Sequence, residues 1–364
     1  MRACDDCLRR TALVARLAAH VERARHERRR VGELLALHDD ELLDAVAGDR
    51  RAAIAKEHAA FDPARSRQRL GDAAMHAVCR HDECYPPRML EAVDAPAVLH
   101  VAGDPARLMV LAERDVPAAG VVGARRAGAD GLEVARGLGR GLAAAGVTVV
   151  SGMALGIDSA AHAGALEVGG PTITVLAGGA DVAYPASKRS LHRELIRTQA
   201  AVSEMPPGFK PFRWCFPARN RTIAGLSSLT IVVEATERSG SLITADLAQE
   251  LGRAVGAVPG PVTAPRCAGS NALLRDGALV IRDAQDALDE VLGVGVATAL
   301  SGRRSDELAA PLRTLLRRVE DGCDTVSALA ASPAAAQHVL AALGELELLG
   351  FVRRGPGGRW TRRV

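Results

Sequence analysis

A chain of 364 residues with a formal net charge of +3 has room for two or three domains and a large core. Its global charge is too small to hold a polyanion, so any such affinity must come from a local patch. Apolar residues make up 48% and aromatics 2%, so the core is one of Ala, Val and Leu, and no uninterrupted apolar run reaches membrane-spanning length.

The opening Met-Arg-Ala-Cys-Asp-Asp-Cys lacks the apolar centre of a secretory signal, and the seven scattered cysteines read as reduced thiols. Both point to a cytoplasmic protein with no membrane partner. Cys4 and Cys7 form a C-x-x-C, and Cys79 and Cys84 lie with His76 and His81 further on. Together these offer four zinc ligands, but a lone C-x-x-C is weak evidence and the second spacing is irregular. The expectation is therefore no metal and no cofactor.

Residues 1 to 70 read as short helices: Leu34, Leu35 and Leu37, then Leu42, Leu43 and Val46 after an acidic Asp39-Asp40 start. The basic run Arg23 to Arg30 is read as a solvated helix face in preference to a phosphate contact. Residues 71 to 115 form a connecting region punctuated by Pro86-Pro87, Pro96 and Pro105, with a short strand at Val98 to Val101.

From 116 to 292 apolar runs alternate with helical stretches. The runs are Ala119–Val122, Val147–Val150, Thr172–Leu176, Leu229–Val233, Val255–Val258 and Leu279–Ile281. Leu132–Ala145, Ser159–Val168 and Ile243–Arg253 are the helical stretches. This pattern predicts an α/β class, a parallel sheet covered on both faces in a doubly wound fold. Residues 293 to 307 read as a linker. Helices at Leu308–Val319, Thr325–Ala331 and Pro333–Leu348, followed by a hairpin turning at Gly355 to Gly358, predict a winged helix. Its wing is basic, but the helix from Ala334 to Leu349 is apolar and acidic, which suits a protein partner at least as well as a major groove.

In an open parallel sheet, ligands sit at the carboxyl ends of strands. Four segments fall there. Val121 to Arg126 is a glycine turn with Arg125 as an anion contact; no G-x-G-x-x-G follows, which argues against a dinucleotide enzyme. Ser151 to Asp158 carries Gly152, with Asp158 read as an N-cap and His162 as a packed or capping histidine and not a base. Ala177 to Arg189 carries Gly178-Gly179, open to a phosphate or another backbone, and then Lys188 and Arg189 at a helix start. The fourth runs from Phe209 to Thr244. It begins with a window of Phe209, Phe212, Trp214 and Phe216 interleaved with Lys210 and Arg213, continues through Arg219, Asn220 and Arg221, and ends on Ser239-Gly240-Ser241.

Four of the nine aromatics fall in that window. Aromatics alternating with cations suit a single strand, which offers a π-face on every base and a charge on every phosphate. On the window alone, a buried knot that fills a core is the stronger reading.

The words S-G-M-A-L-G-I-D-S-A-A-H, G-G-P-T-I-T-V-L-A-G-G-A-D-V-A-Y-P, F-P-A-R-N-R-T-I-A-G-L-S, S-G-S-L-I-T-A and V-P-G-P-V follow in that order. From about Tyr85 to Ile281 the chain resembles the DNA-processing protein A (DprA/Smf) family. The resemblance implies a helical SAM-like domain over 1–70, an extended Rossmann-like core over 71–292, a linker over 293–307 and a winged helix over 308–364. It implies a non-enzymatic, dimeric protein that binds and protects single-stranded DNA and helps load RecA recombinase during natural transformation, with the core as the dimer contact. The site residues implied are Arg125, Gly152, Lys188, Arg189, Lys210, Phe216, Arg219, Asn220, Arg221, Gly240 and Ser241, with Phe209, Phe212 and Trp214 left as packing. The chain departs from the family pattern at Gly128, Asp130 and Gly131, where a hydroxyl and a Tyr-Gly are usual, and at Leu155, where an arginine is. Two other readings stay open: a nucleotide or phosphoribosyl hydrolase using Glu234 and Asp158, and a scaffold acting through the winged helix.

Overall fold

A computed structural model describes residues 3–113, 116–296, 308–330, 332–349 and 351–362. The chain divides into two compact units, Met1–Thr298 and Ala299–Val364.

In the first unit, nine strands form one sheet. They are β1 (Met75–Cys79), β2 (Val98–Gly103), β3 (Ala118–Val122), β4 (Thr148–Ser151), β5 (Thr172–Leu176), β6 (Ala200–Ser203), β7 (Leu229–Val232), β8 (Ala254–Ala257) and β9 (Leu279–Val280), in the spatial order β1-β2-β6-β5-β4-β3-β7-β8-β9. The seven strands from β6 to β9 pair in parallel, and β2 and β1 add an antiparallel edge. Every residue of β3 to β7 is buried, as a sheet covered on both faces requires. The chain runs outward from β3 to β6, then returns to lay β7 on the other side of β3. The crevice above β3 and β7 is therefore the switch point where such sheets bind ligands.

All six apolar runs expected in the core are strands. The sequence reading does not separate out β6 or β1. Ala200-Ala201-Val202-Ser203 is short and alanine-rich, so neither β-branching nor alternation marks it.

Six α-helices and one 3-10 turn between Asp5 and Asp72 precede β1. They share a core with the segment after β6: Leu17, Val21, Leu42, Leu43 and Ile54 pack in one cluster with Met205, Trp214 and Cys215. The Trp214 indole N–H donates to the Ala18 carbonyl at 2.9 Å, and the Trp214 backbone N–H donates to Glu22 Oε2 at 2.9 Å. Among the described residues, no helix is long and apolar enough to cross a membrane.

The second unit holds helices Ala310–Glu320, Val326–Leu329 and Pro333–Leu348 and a two-stranded antiparallel sheet of β10 (Val352–Arg354) and β11 (Trp360–Arg362). Its core gathers Leu312, Leu316, Leu329, Leu343, Leu346 and Trp360. Most of the expected linker, 297–307, lies outside the described residues.

Candidate functional site

A cleft of about 300 Å³ opens at the switch point. It is lined by Gly123 and Arg125 after β3, by Ala154 and Asp158 after β4, by Phe216, Arg219, Asn220 and Ile223, and by Ser239 to Ser241 after β7. Six of the residues expected at the site thus meet in one place: Arg125, Phe216, Arg219, Asn220, Gly240 and Ser241.

The word F-P-A-R-N-R opens a helix, Cys215–Leu226, that crosses from β6 to β7. Residues three, four and seven apart share a helix face, so Phe216, Arg219, Asn220 and Ile223 all turn to the cleft. Arg221 lies two residues beyond Arg219, about 200° around the axis. It points away from this cleft, and its guanidinium pairs with Glu204 at 2.5 Å and Asp94 at 2.7 Å, with 6% of the side chain exposed. Although burial acts against its charge, those carboxylates hold it above the ordinary arginine range. The expected DNA contact by Arg221 is thus corrected: its charge is spent inside the protein.

Arg219 forms the cleft floor. It is buried, and its Nη1 donates to the Gly152 carbonyl at 2.8 Å and to the Val175 carbonyl, while its Nε has no hydrogen-bond partner. Burial pulls its affinity for the proton down, with Asp158 acting the other way; an arginine stays charged regardless. Gly152 is glycine for a steric reason, since a Cβ there would lie 2.1 Å from Arg219 Nη1.

Asp158 is not the N-cap expected of it; Gly156 holds that position. The buried Asp158 carboxylate instead accepts from the N–H groups of Gly152 and Ala154, at 3.2 and 3.3 Å, and fixes the turn after β4. Burial pushes its carboxyl up, opposed by Arg219. Glu234 plays a similar part for the turn after β3: it accepts from Gly128 N–H at 2.9 Å and pairs with Arg266 at 3.3 Å. His162 is the packed histidine expected, with Nδ1 2.8 Å from Thr172 Oγ1.

The cleft rim is aromatic and cationic. Arg125 is exposed, and its guanidinium carbon lies 5.6 Å from the centre of the Phe216 ring. The Tyr184 ring sits 5.1 Å from Phe216, tilted by 52°, and is 46% exposed. Tyr184 is the functional candidate that sequence reasoning missed; the available signal was an exposed-type aromatic in a chain with only two tyrosines. Asn220 Nδ2 donates to the Gly240 carbonyl at 3.2 Å, and Ser239 accepts from the Ser241 N–H at 3.3 Å, so the start of helix Gly240–Glu250 is held against the cleft.

Lys188, Arg189 and Lys210 do not line this cleft. Lys188 is half-buried at the start of helix Arg189–Thr198, and Arg189 and Lys210 are exposed. Gly178-Gly179 is approached by the chain's own backbone and not left open. Gly179 N–H donates to the Phe209 carbonyl at 2.9 Å, and a Cβ on Gly178 would lie 2.8 Å from the same oxygen. Trp214 is fully buried and Phe209 packs beside it, whereas Phe212 is 37% exposed against Phe209.

Residues 76–292 match the family of DNA recombination-mediator protein A. The chain is 36% identical to protein Smf of Escherichia coli over 78% of this chain and 76% of that one. It is 40% identical to the DNA processing protein DprA of Streptococcus pneumoniae over 57% of this chain and 72% of that one. A DprA-named chain of Mycobacterium tuberculosis is 47% identical, and this chain spans about half its length, 51%. Among solved structures, S. pneumoniae DprA superposes with a TM-score of 0.62 at 33% identity, covering 78% of this chain and 95% of that one. DNA processing protein A of Helicobacter pylori, described for its single-stranded-DNA binding mode, superposes at 0.54 and 28% identity, covering 60% and 95%. The chain belongs to the DNA recombination-mediator protein A family, that of the DprA and Smf proteins.

Proposed function

We propose that the switch-point cleft holds single-stranded DNA and that the chain protects incoming strands and helps load RecA recombinase onto them. The observation that carries this reading is the cluster of Arg125, Phe216 and Tyr184, in which Arg125 and Phe216 line the same cleft as the buried Arg219. An aromatic face suits a base, and an exposed guanidinium beside it suits a phosphate. Lys188, Arg189 and Lys210, outside the cleft, are taken as further phosphate contacts, and Gly240 offers its backbone N–H to a phosphate at the start of its helix.

The reading is of binding without turnover. Asp158 and Glu234, the carboxylates a hydrolase would need, each already accept from backbone N–H groups that shape the loops. The core acts as a homodimer, and the unit beyond residue 308 is a winged helix that meets a protein, since helix Pro333–Leu348 carries Glu345 and Glu347 and leaves Leu340 and Leu348 exposed.

Titration of labelled oligo-dT at several salt concentrations tests the reading. Binding that weakens steeply with salt, and exceeds binding to duplex, supports it; preference for duplex contradicts it. Removing residues 305 to 364 and repeating the DNA and RecA assays separates the two units' roles.

A further inference from the structure

Far from the cleft, the structure brings together four side chains that the sequence scatters. Cys4 and Cys7 flank the start of helix Asp5–Arg16, Cys79 ends β1, and His81 follows it. Their sulfur and nitrogen atoms all lie within 4.8 Å of one another. His81 Nδ1 is 3.4 Å from Cys4 Sγ and 3.5 Å from Cys7 Sγ. The other two candidates suggested by sequence do not join them: His76 is exposed on β1, and Cys84 packs against the central core. All seven cysteines of the chain are outside disulfides.

We propose that Cys4, Cys7, Cys79 and His81 form a structural zinc site that fastens the N-terminal helices to the edge of the sheet. Three thiolates and one imidazole are a soft donor set that selects zinc over magnesium or calcium. In a tetrahedral site with Zn–S near 2.3 Å and Zn–N near 2.0 Å, neighbouring donors stand about 3.5–3.8 Å apart. The two His81 contacts already have that spacing, and the widest pair has to close by no more than about 1 Å. Cys7 and Cys79 are 2% and 1% exposed in an apolar cluster with Leu8, Met75 and Val98, which shields the metal from solvent. The Cys4 backbone N–H donates to Cys79 Sγ at 3.4 Å, the kind of outer contact that steadies a thiolate ligand. On its other side Cys4, Cys79 and His81 border an open cleft, which gives the ion a way in. The C-x-x-C supplies two ligands from one helix start, and Cys79-x-His81 supplies two from a strand end. The metal would thereby close a long loop and bind in step with folding.

The test is the metal content of the full chain, expressed with zinc and purified under reducing conditions without chelator, measured by elemental mass spectrometry. One zinc per chain is expected, falling to background in Cys79→Ser and in His81→Ala, and unchanged in Cys84→Ser and His76→Ala. Cobalt-loaded protein should show thiolate-to-cobalt charge transfer and tetrahedral d–d bands, both lost in Cys4→Ser. A folded chain that holds no metal, that holds iron instead, that forms a Cys4–Cys7 disulfide under the same conditions, or that keeps its zinc in Cys79→Ser overturns the assignment.

Discussion

The guanidinium of Arg125 stands over the ring of Phe216, 5.6 Å from its centre, although one follows β3 and the other begins a helix far along the chain. The pair joins a charge to a π-face at the mouth of the cleft, with Tyr184 on the ring's flank. A base stacking here would lie beside a cation able to reach its phosphate.

Replacing Phe216 by Ala removes the stacking surface. Affinity for oligo-dT should fall by about 1–3 kcal/mol, with little dependence on base sequence, because every base has a π-face. Anisotropy titrations with dT, dA and dC oligonucleotides check this. An unchanged affinity assigns the ring to packing against the Trp214 cluster, which it also touches.

Arg125 is exposed, so its loss should leave thermal stability unchanged while weakening all sequences alike. The slope of log K against log salt should become shallower by about 0.7, the contribution of one single-strand phosphate. An unaltered slope would remove Arg125 from the phosphate path.

The neighbouring arginine behaves in the opposite way. Arg221 is buried between Glu204 and Asp94, and Thr222 also donates to Glu204. Arg221→Ala strands those carboxylates and should cost about 3–5 kcal/mol of stability by urea denaturation. Whatever fraction stays folded should bind DNA with near-normal affinity. A stable variant with lost binding would place Arg221 in the groove after all.

The two arginines of one short word show what was legible in the chain and what was not. Apolar runs separated by helical stretches announce the parallel sheet, because both faces of such strands must be buried. The glycine-bearing strand ends announce the cleft. What the word Arg219-Asn220-Arg221 does not disclose is that it lies on a helix, where a two-residue step reverses direction. Nor does it disclose Glu204 and Asp94, which come from remote segments. Of the two partners the Gly178-Gly179 pair admits, a backbone or a phosphate, the fold supplies the backbone, the chain's own at Phe209. Tyr184 comes to Phe216 only through the tertiary fold.

Gly152→Ala should disturb the cleft floor, since the new Cβ would lie 2.1 Å from Arg219 Nη1, far inside van der Waals contact. Displacing that guanidinium should destabilise the fold by about 1–3 kcal/mol, as overpacking does, and weaken DNA binding with it. Parallel melting and anisotropy measurements check both effects.

His100 and His162 are buried, and burial pushes their imidazoles down to about 4 and about 3. Unfolded, each takes up a proton near pH 6.5. Their folded values are the lower ones, so acid favours the unfolded chain. Stability should be full above about pH 6.5 and should decline as pH falls toward about 4 and 3, by up to about 1.4 kcal/mol per pH unit for each histidine. Urea denaturation at pH 7, 6 and 5 measures the slope, to which the buried His20, also lowered, adds, and His162→Gln should make it shallower between pH 6 and 5.

The central claim is that the switch-point cleft is a single-strand groove made by Arg125 and Phe216. Anisotropy of labelled oligo-dT, read across ionic strength for the parent chain and for the Arg125→Ala, Phe216→Ala double variant, tests it most directly. The expected result is salt-sensitive binding that exceeds duplex binding and that the double variant loses by at least the sum of a stack and a phosphate contact, while its circular dichroism stays that of a folded chain. Binding that the double variant retains in full, with the same salt slope, would contradict it.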